Sequence, residues 1–323
     1  MTTATAPSAT TERAVAFVAQ RRELAEQIGW SLADLSNDPD GFAEALSRGW
    51  KELADPEYLK GQHRVAPGLG AVYGVRWPLL AAVERGFRSA TKGERPTPLL
   101  FIADRLYRED ELENRWFAFG LLERTLETET ERTWQLLRRA AREADDWITV
   151  DSLAHPYGRG IAREAYRWAE LEQLIYSPSR WERRLVGSTI ATMTHGGRRT
   201  GRDPELPARA LALLDQLMGD SEPDVQKALS WAYRSLAQLD ATATEAALRV
   251  QSGRAVSAGD GHRAWVVRDS LSKLDPVVAE ALRASLAGIR KRPGAGPTSQ
   301  ASETSARFGE LQDPTAHPEP PIT

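Results

Sequence analysis

The sequence predicts an all-α protein, and three observations carry that prediction. Apolar residues recur at helical spacing along most of the chain. Sustained apolar/polar alternation, the mark of a half-buried strand, is nearly absent. The periodic segments also begin and end on helix punctuation. From Asp224 onward, Val225, Ala228, Leu229, Ala232, Leu236 and Leu239 follow the i, i+3, i+4 spacing of one buried face. Ser221-Glu222-Pro223 stands before them as a start signal: a capping residue, an acid and a proline suited to the first turn. Pro204-Glu205-Leu206-Pro207 opens the preceding helix, whose stripe is Leu211, Leu214, Leu217 and Met218 and whose stop is Gly219. Similar segments are predicted near 13–36, 41–54, 77–90, 97–109, 111–127, 130–144, 158–175, 179–194, 242–253, 262–272 and 276–290. Trp30, Trp50, Trp116 and Trp134 sit in such stripes and are expected in the core.

Composition removes several chemistries. The 323 residues are 41% hydrophobic and 27% charged, with a net charge of −3 and no cysteine. A disulfide framework, a thiolate zinc site, an iron–sulfur cluster and a cysteine nucleophile are thereby excluded. No apolar run approaches the ~18 residues of a membrane span. Met1 to Thr11 has neither the basic nor the apolar region of a signal peptide, so a cytoplasmic protein is expected. The five histidines are scattered, and Asp151 with His155 at i, i+4 makes a poor metal site. Gly68-Leu69-Gly70 with Gly74 is a turn rather than a dinucleotide fingerprint, and neither a phosphate-binding P-loop nor a G-x-S-x-G elbow occurs. No cofactor is expected.

The predicted helices pair at intervals of roughly 35–45 residues, which resembles helical-hairpin repeats of the HEAT type; a compact irregular bundle is the competing architecture. Residues 1–70 read as an N-terminal helical extension, 71–290 as the repeat domain and 291–323 as a tail. That tail holds six prolines and almost no large apolar side chains, so disorder is expected. Charge is uneven: residues 1–60 carry 6 basic and 10 acidic groups, whereas 152–202 carry 9 Arg and 4 Glu. The Arg excess is either a footprint for phosphates or a solvated face.

Trp147 differs from the other tryptophans. In Asp146-Trp147-Ile148-Thr149-Val150-Asp151-Ser152 the i, i+4 spacing places the indole and the Asp151 carboxylate on one helix face. The plainer alternative is a packed Trp with Asp151 as a helix cap. This segment resembles the W-x-x-V-D-S stretch of the AlkD-like DNA alkylation repair glycosylases. Trp181-Glu182-Arg183-Arg184 resembles that family's W-x-x-R segment. The run Val225-Gln226-Lys227-Ala228-Leu229-Ser230-Trp231-Ala232-Tyr233-Arg234 resembles its I-x-K-A-[IL]-x-W-x-x-R helix. Upstream, Tyr73-Gly74-Val75-Arg76-Trp77-Pro78 is similar to an early G-[IV]-x-x-P turn. The resemblance covers roughly residues 70–275. Ile148 and Asp146 depart from it, since the family often has an acid and an aromatic residue at those two places.

The resemblance implies a curved solenoid of HEAT-like repeats whose concave face binds double-stranded DNA. It implies a monomeric hydrolase that removes N3- or N7-alkylated purines, for base excision repair or for self-resistance to an alkylating agent. Asp151 would be the carboxylate that stabilises the developing sugar cation, and Trp147 and Trp231 the indoles that hold the cationic nucleoside. Arg184 would grip a phosphate, with Arg183 beside it; read without the resemblance, Arg184 forms a salt bridge to a helix acid such as Glu182 or Glu222. Arg198, Arg199 and Arg202, in Gly196-Gly197-Arg198-Arg199-Thr200-Gly201-Arg202, form either a basic DNA contact or a solvated loop. A helical-repeat scaffold that binds DNA or protein without catalysis is the alternative function. A carboxylate at Asp151 argues against it, because pure polyanion binding gains nothing from a negative charge in the groove.

Overall fold

A computed structural model describes residues 8–65, 70–195 and 203–312. Among these the protein is all-α; its one β feature is an isolated bridge between Ala54 and Val75. The helices are α1 (Ala9–Ser31), α2 (Pro39–Leu53), α3 (Pro56–Val65), α4 (Trp77–Ala90), α5 (Thr97–Tyr107), α6 (Leu112–Thr125), α7 (Thr130–Glu143) and α8 (Trp147–Arg163). There follow α9 (Trp168–Leu174), α10 (Arg180–Met193), α11 (Leu206–Leu217), α12 (Pro223–Leu239), α13 (Ala241–Ala258), α14 (Gly261–Ser270), α15 (Pro276–Ser285) and α16 (Gln300–Gln312). Two compact units, 1–136 and 137–323, divide within α7. None of the described helices is long and apolar enough to cross a membrane.

In the first unit α1 lies along α4, and α2 packs on the α5/α6 hairpin. Gly29 and Gly86 permit the α1–α4 approach: a Cβ on Gly86 would stand 2.2 Å from the Glu26 carbonyl oxygen. Phe42, Phe87 and Phe117 form the aromatic centre, with Phe42 and Phe87 edge to face at 5.2 Å. Trp50 is fully buried and donates its indole N–H to Asn114 Oδ1 at 2.9 Å. The turn before α4 is tied down by the buried Glu113 carboxylate, which accepts the backbone N–H groups of Tyr73, Gly74 and Val75. Gly74 has φ +85°, and a Cβ there would meet Leu59. The boundary expected at residue 70 is therefore not a seam, because residues on both sides share this core. Trp30, expected inside, is 55% exposed; α1 buries Ala25 and Gly29, and the residue after Gly29 points about 100° away.

The second unit is a stack of helical hairpins. Helices α8, α10, α12 and α14 pack side by side as one layer, and α11, α13 and α15 follow one another as a second. Within the first layer the helices run parallel. Asp151 meets Arg184 and Ser188 near one end, and Ala154 meets Thr192 farther along. Gly187 lets α10 and α12 touch: its Cβ would be 2.7 Å from the backbone of Ala228. Helix α8 begins at Trp147 rather than near 158 and runs through the buried Pro156, forgoing one hydrogen-bond rung. At α12 the N-cap is Glu222, without a side-chain cap bond, and Asp220 rather than Ser221 holds the turn by accepting the Glu222 N–H.

The stretch beyond 291, expected to be disordered, is described to residue 312 and includes α16 packed on α11. Polar contacts hold it where apolar ones are lacking. Thr298 N–H donates to the Gly219 carbonyl at 2.9 Å, and Ser302 reaches the buried Asp220 carboxylate at 3.1 Å. Ala301, Ser302 and Ser305 are buried.

Candidate active site

Helix α8 places the first two site residues. Asp146 is its N-cap: Oδ1 accepts the N–H groups of Ile148 and Thr149, both at 2.8 Å. This explains the acid found at that position, and it shows that Asp151 is not the cap. Trp147 occupies the first turn and is 39% exposed. Asp151 follows one turn later with its side chain 20% exposed.

Two residues of α10 hold the Asp151 carboxylate. Arg184 donates through Nε to Oδ1 at 3.0 Å and through Nη2 to Oδ2 at 2.7 Å, a two-pronged charge-assisted contact. The buried Ser188 hydroxyl donates to Oδ1 at 2.6 Å. Arg184 and Ser188 are four residues apart on α10 and so share a face. The third prong of Arg184, Nη1, donates to the backbone carbonyl of Asp224 in the first turn of α12 at 2.6 Å. Its guanidinium carbon lies 5.8 Å from the Trp147 ring centre, within cation–π range. One arginine thus joins three helices and packs beneath the exposed indole.

Arg184 does form a salt bridge to a helix acid, as the reading without the resemblance expects, but the acid is Asp151 rather than Glu182 or Glu222. Its side chain is 6% exposed and engaged with Asp151, while Glu182 bonds to Ser177 and Glu222 faces Arg180 at 3.8 Å. Arg183 departs from its expected place at a phosphate. It is buried, with Nε on Asp220 Oδ2 at 2.8 Å and Nη1 on the carbonyls of Ser177 and Pro178. Neighbours on a helix point about 100° apart, so Arg183 and Arg184 cannot serve one face. Trp231 is half-buried on α12, on the face that carries Asp224 and Lys227. Arg198, Arg199 and Arg202 lie outside the described residues.

Sequence reasoning missed Ser188 and the Asp224 carbonyl. The i, i+4 spacing of Arg184 and Ser188 was a usable signal for the first. A backbone acceptor leaves no signature in side-chain identity. The arrangement offers a carboxylate held by three hydrogen bonds yet still 20% exposed, one turn along its helix from a partly exposed indole. A cationic reactant would meet a negative edge and a π face together.

A family model described as DNA alkylation repair enzyme matches residues 46–274. No curated protein matches the chain. Among solved structures, a protein described as a predicted DNA alkylation repair enzyme from Enterococcus faecalis is similar at 14% identity and a TM-score of 0.48. That similarity covers 74% of this chain and 98% of the other. The family match takes in Trp147, Asp151, Arg184, Ser188, Asp224 and Trp231, and over that span the chain belongs to the DNA alkylation repair enzyme family.

Proposed function

We propose that the chain is a DNA glycosylase that hydrolyses the N-glycosidic bond of N3- or N7-alkylated purines in duplex DNA. In this reading it acts in the cytoplasm as a monomer. The observation that carries it is the Asp151 carboxylate, held on its inner side by Arg184 and Ser188 and open on its outer side next to Trp147.

The chemistry asks little of the protein. Alkylation leaves the purine positively charged, so the bond electrons pass to the base and it departs neutral without a general acid. The sugar carbon gains oxocarbenium character, and a water oxygen bonds to it as its proton is released. Asp151 stabilises the positive sugar, and Oδ2, which accepts only one of the bonds described, has a lone pair left to orient or deprotonate that water. Trp147 and Trp231 hold the cationic nucleoside through their ring faces, each contact worth ~0.5–2 kcal/mol depending on desolvation. Arg184 is a positioning residue in this scheme, since its contacts fix the carboxylate.

The test is base release from duplex DNA carrying 7-methylguanine or 3-methyladenine, with Asp151→Asn alongside. The parent is expected to free the bases and the variant to lose most of that activity while still binding DNA. Equal rates for the two would sink the site assignment. A scaffold without catalysis is the second reading, favoured by one observation: the ion pair with Arg184 gives Asp151 a structural role of its own. A salt-sensitive complex with intact, methylated and bulky-adduct duplexes alike, and no base release from any, would establish it.

A further inference from the structure

Beyond residue 274, where the family match ends, the chain lays a strap across the N-terminal ends of α12 and α14. The backbone of Arg290 and Lys291 presses on Gly261, where a Cβ would lie 2.2 Å from the Arg290 carbonyl oxygen. His262 Nε2 sits 3.0 Å from the Ala295 carbonyl, and the Thr298 anchor on Gly219 completes the crossing. The Lys291 ammonium lies 4.3 Å from the centre of the Trp265 ring and reaches the side-chain oxygen of Gln226.

This crossing brings the strap's cations against two cations of the helical layer. Lys227 follows Gln226 on α12, and Arg268 on α14 donates to the Leu286 carbonyl at 3.3 Å. Burial lowers the Lys291 ammonium below the usual lysine range, and the neighbouring Lys227 and Arg268 charges push the same way. Burial likewise lowers Arg268, with Arg290 adding to it. Among the described residues none of the four cations has a carboxylate at ion-pair distance. The nearest acids along α12 and α14 are turned elsewhere: Asp224 lies 4.0 Å from Arg184, and Asp269 pairs with Arg234 at 2.7 Å. Four like charges crowded together without counter-charges repel one another, and an anion placed among them relieves that repulsion.

We propose that Lys227, Arg268, Arg290 and Lys291 form a phosphate-binding cluster that grips the DNA backbone, the C-terminal strap supplying two of the four charges. The cluster rests on the DNA reading above but not on catalysis. Lys227 stands one turn along α12 from Asp224, whose carbonyl holds Arg184, so a phosphate bound here lies on the same end of the layer as Asp151.

The experiment is the salt dependence of binding to a fluorescein-labelled undamaged duplex, for the full chain and for Arg268→Gln/Arg290→Gln. Each neutralised phosphate contributes about 0.9 to the slope of log affinity against log salt, so losing two contacts flattens it by about 1.8. Lys227→Gln is expected to flatten it by about 0.9, and Arg268→Lys/Arg290→Lys to retain it. Thermal melting of each variant monitors the fold. An unchanged slope in the double glutamine variant overturns the cluster, as does weaker binding at the parental slope. If the parent binds the duplex but frees no base, the slope still decides the cluster and only the glycosylase reading falls. A parent without salt-dependent duplex binding overturns both.

Discussion

Replacing Asp151 by Asn preserves the outline of the side chain but inverts half of its hydrogen bonding. The new carboxamide oxygen can still accept from Arg184 Nε and Ser188, yet its NH2 group then faces Arg184 Nη2, donor against donor, where a 2.7 Å bond stood. A hydrogen bond to a charged group is worth roughly 1.5–3 kcal/mol, and breaking a buried ion pair costs about 3–5 kcal/mol. Asp151 retains some exposure and one good acceptor survives, so ~2–3 kcal/mol is expected, read as a lower urea midpoint at constant m. Arg184→Met alone strands the carboxylate and gives up the Asp224 carbonyl as well, so its cost is similar or larger. With both changes no unpaired charge remains, and the double variant should be at least ~1.5 kcal/mol more stable than the sum of the single effects requires. Under the proposed function, base release should stay lost in all three proteins even where stability returns, which would separate a structural task of the pair from a chemical one. Effects of the two substitutions that add to within ~0.5 kcal/mol would refute the coupling described here.

Two further outcomes follow from the packing. Burial, reinforced by Glu123, raises the Glu84 carboxyl from 4.5 to about 7 against the opposing charges of Arg88 and Arg85. The folded protein then holds a proton that the unfolded chain releases, so stability falls as pH rises through that window, by roughly 3 kcal/mol in all. Glu84→Gln should remove this slope, matching the parent below the window and exceeding it above, as read from unfolding midpoints across pH; parallel profiles would contradict it. Gly187→Ala should force α10 away from α12, because the new methyl group meets the Ala228 backbone rather than a movable side chain. A loss of ~1–3 kcal/mol is expected by calorimetry, and an unchanged melting temperature would show that the crossing has slack.

The helical class and most helix positions were legible because buried stripes repeat every turn; the segment at 77–90 coincides with α4. The shared face of Trp147 and Asp151 was legible from their i, i+4 spacing alone, although no clear apolar stripe marks the helix at that point. Contacts that cross from helix to helix were not legible. Arg184 meets Asp151 over 33 residues and Ser188 meets it over 37, and local spacing carries no information about which stripe faces which. Arg183 shows the converse: a basic neighbour looked usable, but its angular position turns it inward onto Asp220. The strap is illegible in the sequence because threonine and serine hydroxyls on buried carboxylates replace the apolar burial that ordinarily signals order. The start of α8 is hidden by its first turns, where polar residues and the proline at 156 obscure the period.

Asp146 does more than satisfy two amide groups. A helix has no intrinsic starting angle, and its side chains take their bearings from the residue at which the backbone first coils. By capping there, Asp146 sets the zero of that dial for Trp147 and Asp151, with every later residue advanced about 100°. Extra or missing residues in the preceding linker would leave the dial unturned so long as the cap engages. A residue inserted between the cap and Asp151 would swing the carboxylate about 100° away from Arg184 without altering a single atom of its chemistry.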